Sequence, residues 1–169
     1  MTNPKFPAFS EWLATTGPSQ LIQNVSWIIP TTQTLHIICI SILVGAIGMV
    51  DLRILGLAMR SQSTSSLSRR LLPFVWAPLP ILLITGAILA IGEPARSLEN
   101  LAFQVKMLLL LAAIAVTLLF QTAIKKDEAF WELTPARRTW AKLLAVLSMA
   151  IWIAIIFAGR YIAYMVQDF

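Results

Sequence analysis

Four apolar runs, each long enough to cross a bilayer, constrain this chain more than any other feature. A hydrocarbon core of about 30 Å takes roughly 20 helical residues. The first run extends from Trp27 to Leu57, the second from Leu71 to Gly92, the third from Leu101 to Ile124 and the fourth from Ala141 to Met165. In lipid a helix satisfies its own backbone polar groups and an open strand cannot, so all four read as helices. None has the polar face that a helix of a water-soluble bundle needs. The expected fold class is all-α, an integral membrane four-helix bundle forming a single domain over residues 1–169.

Charge decides how such a bundle sits. Charged residues make up 12% of the chain and hydrophobic ones 58%. Soluble domains carry about 25% charged residues, so this chain cannot cover a water-facing surface. The net charge of +5 does not argue for a nucleic-acid partner, because the basic residues lie mostly in short connections between apolar runs. Arg53, Arg60, Arg69, Arg70, Lys125, Lys126, Arg137, Arg138 and Lys142 fall on one side, nine in all; Lys5, Arg96, Lys106 and Arg160 make four on the other. The positive-inside rule puts the nine in the cytoplasm and both termini outside. The opening stretch MTNPKFPAFSEWLATTGPSQ has no apolar signal-peptide core, so the first helix is expected to serve as an uncleaved insertion signal.

Several local features carry expectations of their own. Phe6, Phe9, Trp12 and Leu13 recur at helical intervals, which fits either a short amphipathic helix on the outer face or an ordered tail packed over the bundle. RSQSTSSLSRR reads as a flexible loop and GEPARSLEN as a solvated turn. Pro78 and Pro80 should kink the second helix. Gly45, Gly48 and Gly86 should allow close helix contact.

The one histidine, His36, lies about nine residues into the first helix, some 13 Å below its boundary. Polar groups facing lipid cost free energy, so His36, with Gln33 and Thr32 one turn earlier, should face inward. Lys106 and Arg160 stand at the same level in helices three and four. Each can snorkel outward, or the three can share a pocket suited to a ligand with an apolar body and an acidic edge. Haem b fits, with His36 as axial ligand and the cations on the propionates, although one histidine cannot fill both axial positions. A quinone, and copper held by His36, Cys39 and a methionine such as Met107, are the other candidates. A structural interhelical hydrogen bond is the plainer role for His36. Asp51 and Arg53, two residues apart, point in different directions; Asp51 is expected to pair with a basic residue of another helix or to hydrogen-bond in the interface. Glu93 and Glu99 are candidate counter-charges for Lys106 or Arg160. Cys39 is the only cysteine, which rules out an intramolecular disulfide. The sequence has no nucleophile–base pair, paired catalytic carboxylates or phosphate-binding glycine loop, and an enzyme is not the first expectation.

The motifs WIIPTTQTLH, DLRILG, RRLLPFVWAPLPILLITGAIL, FQVKMLLLLAA and AGRYIAY resemble a bacterial family of small four-helix inner-membrane proteins of unknown function. The resemblance covers nearly the whole chain, through Trp27, Pro30, His36, Asp51, Arg53, Leu55, Gly56, Pro73, Trp76, Gly86, Phe103, Lys106, Gly159 and Arg160. It implies a four-helix membrane fold and a bacterial inner-membrane location, singles out the same histidine, lysine and arginine, and brings no activity. Two functions from different classes follow. One is a ligand- or cofactor-holding membrane protein, with haem b first, acting in electron transfer or sensing. The other is a non-enzymatic accessory subunit or scaffold of a larger membrane complex; a small-solute or copper transporter stands third. The lipid bilayer is the expected partner, with a homodimer or larger complex where His36 needs a second subunit.

Overall fold

The computed structural model describes residues 6–126 and 133–164. All secondary structure among them is helical: α1 Phe6–Ala14, α2 Gly17–Asn24, α3 Ile28–Leu55, α4 Thr64–Trp76, α5 Pro78–Gly92, α6 Pro94–Leu98, α7 Leu101–Lys126 and α8 Pro135–Tyr164. Four stretches are long and apolar enough to cross a membrane: Ile28–Leu55, Thr64–Gly92, Leu101–Ala123 and Pro135–Ile162. Helix α3 packs against α4, α5 and α8, and α7 packs along α8. At one end, here the cap end, α1, α2 and α6 lie over α5 and the start of α7. At the other, the loop end, run the α3–α4 and α7–α8 connections.

Helix limits follow capping chemistry more closely than hydropathy. The second span starts at Thr64, not Leu71, because the Ser63 hydroxyl accepts from the Ser66 N–H and caps α4. From Thr64 on, the serine-rich stretch is therefore helix and not a flexible loop, with Thr64, Ser65, Leu67 and Ser68 buried. The fourth span likewise starts at Pro135, not Ala141. Thr134 accepts from the Arg137 N–H, and Pro135 follows at the first helical position, where its missing N–H costs nothing. Pro78 and Pro80 divide the second span as expected: α4 ends at Trp76, Ala77 intervenes, and Pro78 opens α5. Gly56 ends α3 with φ 77°, and Leu57 donates to the Leu52 carbonyl while Gly56 donates to that of Arg53. Glycine reaches that left-handed conformation without a Cβ penalty.

The cap end joins both readings made for the N-terminal segment. Ser10 is buried and donates to Glu99. Ser19 is buried and donates at 2.6 Å to the Ile91 carbonyl, one of the last in α5 and so without a helical partner. Phe9 and Trp12, with ring centroids 5.6 Å apart, face outward together with Leu21 and Trp27. The segment thus packs on the bundle by hydroxyls and turns its aromatic rings away from it. GEPARSLEN is ordered rather than a solvated turn: it contains α6, and Pro94, Ser97 and Asn100 are buried. Asn100 accepts from the Ala102 N–H at the start of α7 and donates to the Ile162 carbonyl of α8.

Along its axis the bundle has three layers. The middle is apolar, built on Leu43, Ala46, Ile47, Val75, Ala113, Ile151, Trp152 and Ile155. Polar side chains gather on either side of it. Gly45 and Gly48 do not mediate the close helix contact expected of them, since a Cβ at either meets nothing within 4 Å. The tight approach is at Gly92, where a Cβ would stand 2.6 Å from Ile22 Cγ2 of α2.

Candidate functional site

His36 lies on the buried stripe of α3, in register with Ile40 and Leu43, and the ring is half-buried. Its Nδ1 is 2.7 Å from Thr85 Oγ1 on α5. The Thr85 hydroxyl also lies 2.7 Å from the Ile81 carbonyl and 3.3 Å from that of Leu82, one turn back in α5. With its hydrogen on the Ile81 carbonyl, Thr85 Oγ1 accepts from His36, an arrangement that has the ring hydrogen on Nδ1 and the Nε2 lone pair available. The ring rests on Gly86, where a Cβ would come 3.6 Å from His36 Cε1. Gly86 thus faces the imidazole of α3 at a distance that a Cβ would fill in ordinary van der Waals contact.

Lys106 has a matching seat. A Cβ on Gly159 of α8 would lie 3.7 Å from the Lys106 Nζ and 3.9 Å from its Cε. The ammonium is close enough to act electrostatically on the His36 ring. Two polar side chains from α3 and α7 therefore share the cap-end layer, with Gly86 and Gly159 beside them. Arg160 follows Gly159 directly, but its side chain is exposed. Gln33 is exposed as well and does not join the inward patch. Three residues turn an α-helix by 300°, so Gln33 projects about 60° away from His36, whereas Thr32, four residues earlier, stays near the stripe and is half-buried.

Of the residues named for copper, Cys39 is buried on α3 and Met107 is 41% exposed on α7. No group of three or more His, Cys, Asp or Glu residues that could hold a metal is found among the described residues. The two outer-loop glutamates also differ from expectation. Glu93 pairs with Arg96 at 2.7 Å, and Glu99 accepts from Ser10, so each has its partner at the cap end.

Asp51 occupies the loop-end polar layer and is not in an ion pair among the described residues. It is 5% exposed; Ser148 of α8 hydrogen-bonds to the carboxylate, and Oδ2 has no partner. Arg53, as its spacing predicts, turns elsewhere and donates to the Gln62 carbonyl. In the same layer Trp76 Nε1 donates to Gln121 Oε1 at 3.1 Å, tying α4 to α7.

Thr85 and Ser148 are the site residues that sequence reasoning missed. Each is a single hydroxyl residue in an apolar run, which is a weak signal, since such hydroxyls commonly bond back to their own helix. Spacing could have found Thr85, because it precedes Gly86 at about the depth of His36.

A family model described as a family of unknown function, DUF6644, matches residues 9–165, and the chain belongs to that family. No curated protein and no solved structure matches the chain.

Proposed function

Taking membership of that family as the premise, we propose that the protein holds a ligand or cofactor in the cap-end layer of its bundle, bound at the free Nε2 of His36. The observation that carries this reading is the 2.7 Å pairing of His36 Nδ1 with Thr85 Oγ1, whose own hydrogen has the Ile81 carbonyl to go to, so that the ring donates through Nδ1. Ligating histidines characteristically donate their second ring N–H to a fixed acceptor, which sets the tautomer and the ring plane. Lys106 supplies a nearby positive charge, with Arg160 at the rim beyond Gly159.

Haem b is the first occupant to test. Its iron takes an imidazole nitrogen, and its propionates take cations. The module would work in electron transfer or sensing, in a bacterial inner membrane, with both termini outside as the basic-residue count favours. A quinol head is the second reading, favoured by the pairing of an acceptor, Nε2, with a cationic donor, Lys106.

Absorption spectroscopy tests the first reading. Protein purified from haem-supplemented cells, or reconstituted with haemin, should show a Soret band that His36→Ala abolishes. Thr85→Val should weaken haem affinity by about 10–100-fold, the usual effect of losing such a supporting bond. A folded protein that shows no Soret band and takes up no haemin refutes haem. Quinone that co-purifies with such a protein and is lost in His36→Ala then selects the second reading.

A further inference from the structure

The loop-end layer contains a second polar site, separate from His36. Fifteen residues of α3, about 22 Å of helix, separate His36 from Asp51. Asp51 lines a cavity of about 50 Å³ walled by α3, α4, α7 and α8. Ser68, Thr117, Gln121 and Ser148 contribute the other polar side chains of that wall. The Thr117 hydroxyl donates to the Ala113 carbonyl and the Gln121 side chain accepts from Trp76 through Oε1, which orients both groups. Ser148 bonds the carboxylate, and Asp51 Oδ2 is buried without a partner.

A buried carboxylate needs a counter-charge or strong hydrogen bonds. Here one oxygen has neither, and no basic residue lines the cavity among the described residues. Arg53, on the same helix, bonds the Gln62 carbonyl, and Arg69, Arg70 and Lys142 are exposed. The lining therefore offers oxygen atoms and a single formal negative charge. Hard cations take oxygen ligands, and one carboxylate balances one positive charge. A volume of 50 Å³ holds an ion with about two or three waters, at roughly 10–15 Å³ for each water-sized position. Asp51 is also only four residues from the end of α3, about 6 Å of helix, so an ion has a short way in from the loop end.

We propose that the cavity between α3, α4, α7 and α8 is a binding site for a small monovalent cation, held by Asp51 with Ser148, Thr117, Gln121 and Ser68 completing its oxygen shell. The site stands whether or not His36 binds a ligand, because the apolar middle layer separates the two. The probe is sodium, compared with potassium and with choline at equal ionic strength, acting on the full chain in detergent or nanodiscs. Sodium should raise the melting temperature of the wild type by about 5–11 °C over choline when present at some 100 times its dissociation constant. Radioactive sodium should bind at about one ion per chain. Asp51→Asn, which keeps the side-chain shape, should lose both signals while keeping its helical circular dichroism and elution volume. Ser148→Ala should weaken sodium binding by about 10-fold, and it keeps the test valid if Asp51→Asn misfolds. Equal melting in sodium and choline, a sodium response that survives in Asp51→Asn, or stability that follows pH alone would each overturn the proposal.

Discussion

Replacing Thr85 with valine tests the hydrogen bond from which the chemistry of His36 was derived. Valine keeps the shape of threonine and removes only the hydroxyl. Thr85 is 4% exposed, so no water replaces the lost oxygen from solvent. The Ile81 carbonyl remains within α5 and loses only an additional donor. The damage falls on His36 Nδ1–H, left without its 2.7 Å acceptor. A buried donor stranded in this way costs about 1–3 kcal/mol, but cycles on interhelical bonds in membrane proteins average nearer 0.6 and reach about 1.7. The ring is only half-buried, so the lower range applies and about 1 kcal/mol is expected. For a chain of this size that lowers the melting temperature by about 2–4 °C. The assay is a double-mutant cycle of wild type, Thr85→Val, His36→Ala and the double variant, melted in one detergent. Once the imidazole is gone the hydroxyl has nothing to accept from, so the coupling should be about 0.6–1.5 kcal/mol. Nitrogen NMR of the labelled imidazole should show Nδ1 protonated in the wild type. Additivity within about 0.3 kcal/mol would refute the bond, and a proton on Nε2 would reverse its direction and refute the open lone pair.

Two further predictions concern the frame around the site. Gly92→Ala should destabilise the cap end by about 1–3 kcal/mol, the usual cost of overpacking, because its methyl would meet Ile22 Cγ2 at 2.6 Å and a β-branched side chain on a helix has little freedom to move; combining it with Ile22→Ala should recover most of that loss in thermal melts. Gly56→Ala should cost about 1 kcal/mol through its φ of 77° alone, since no atom stands within 4 Å of the added Cβ, and hydrogen exchange should rise in the last turn of α3 before anywhere else.

The sequence by itself determined that the chain is helical and apolar enough to cross a membrane four times, because run length against bilayer thickness needs no knowledge of neighbours. It also pointed to His36 and Lys106, because an ionisable residue in an apolar run stands out on composition alone. Cap residues were legible too: Ser63 and the Thr134–Pro135 pair would have corrected the starts of the second and fourth spans, which hydropathy placed late by seven and six residues. Only the tertiary structure decided partners. Thr85 pairs with His36, a hydrogen bond from Ser148 and not an ion pair meets Asp51, and Gly86 and Gly159 lie against polar side chains while Gly45 and Gly48 meet nothing. The reason is geometric. Periodicity tells which way a side chain leaves its own helix, but which residue of a second helix meets it depends on how far the two have slid and turned against each other. A slide of one turn, about 5.4 Å, would have given His36 and Asp51 different neighbours with every helix unchanged.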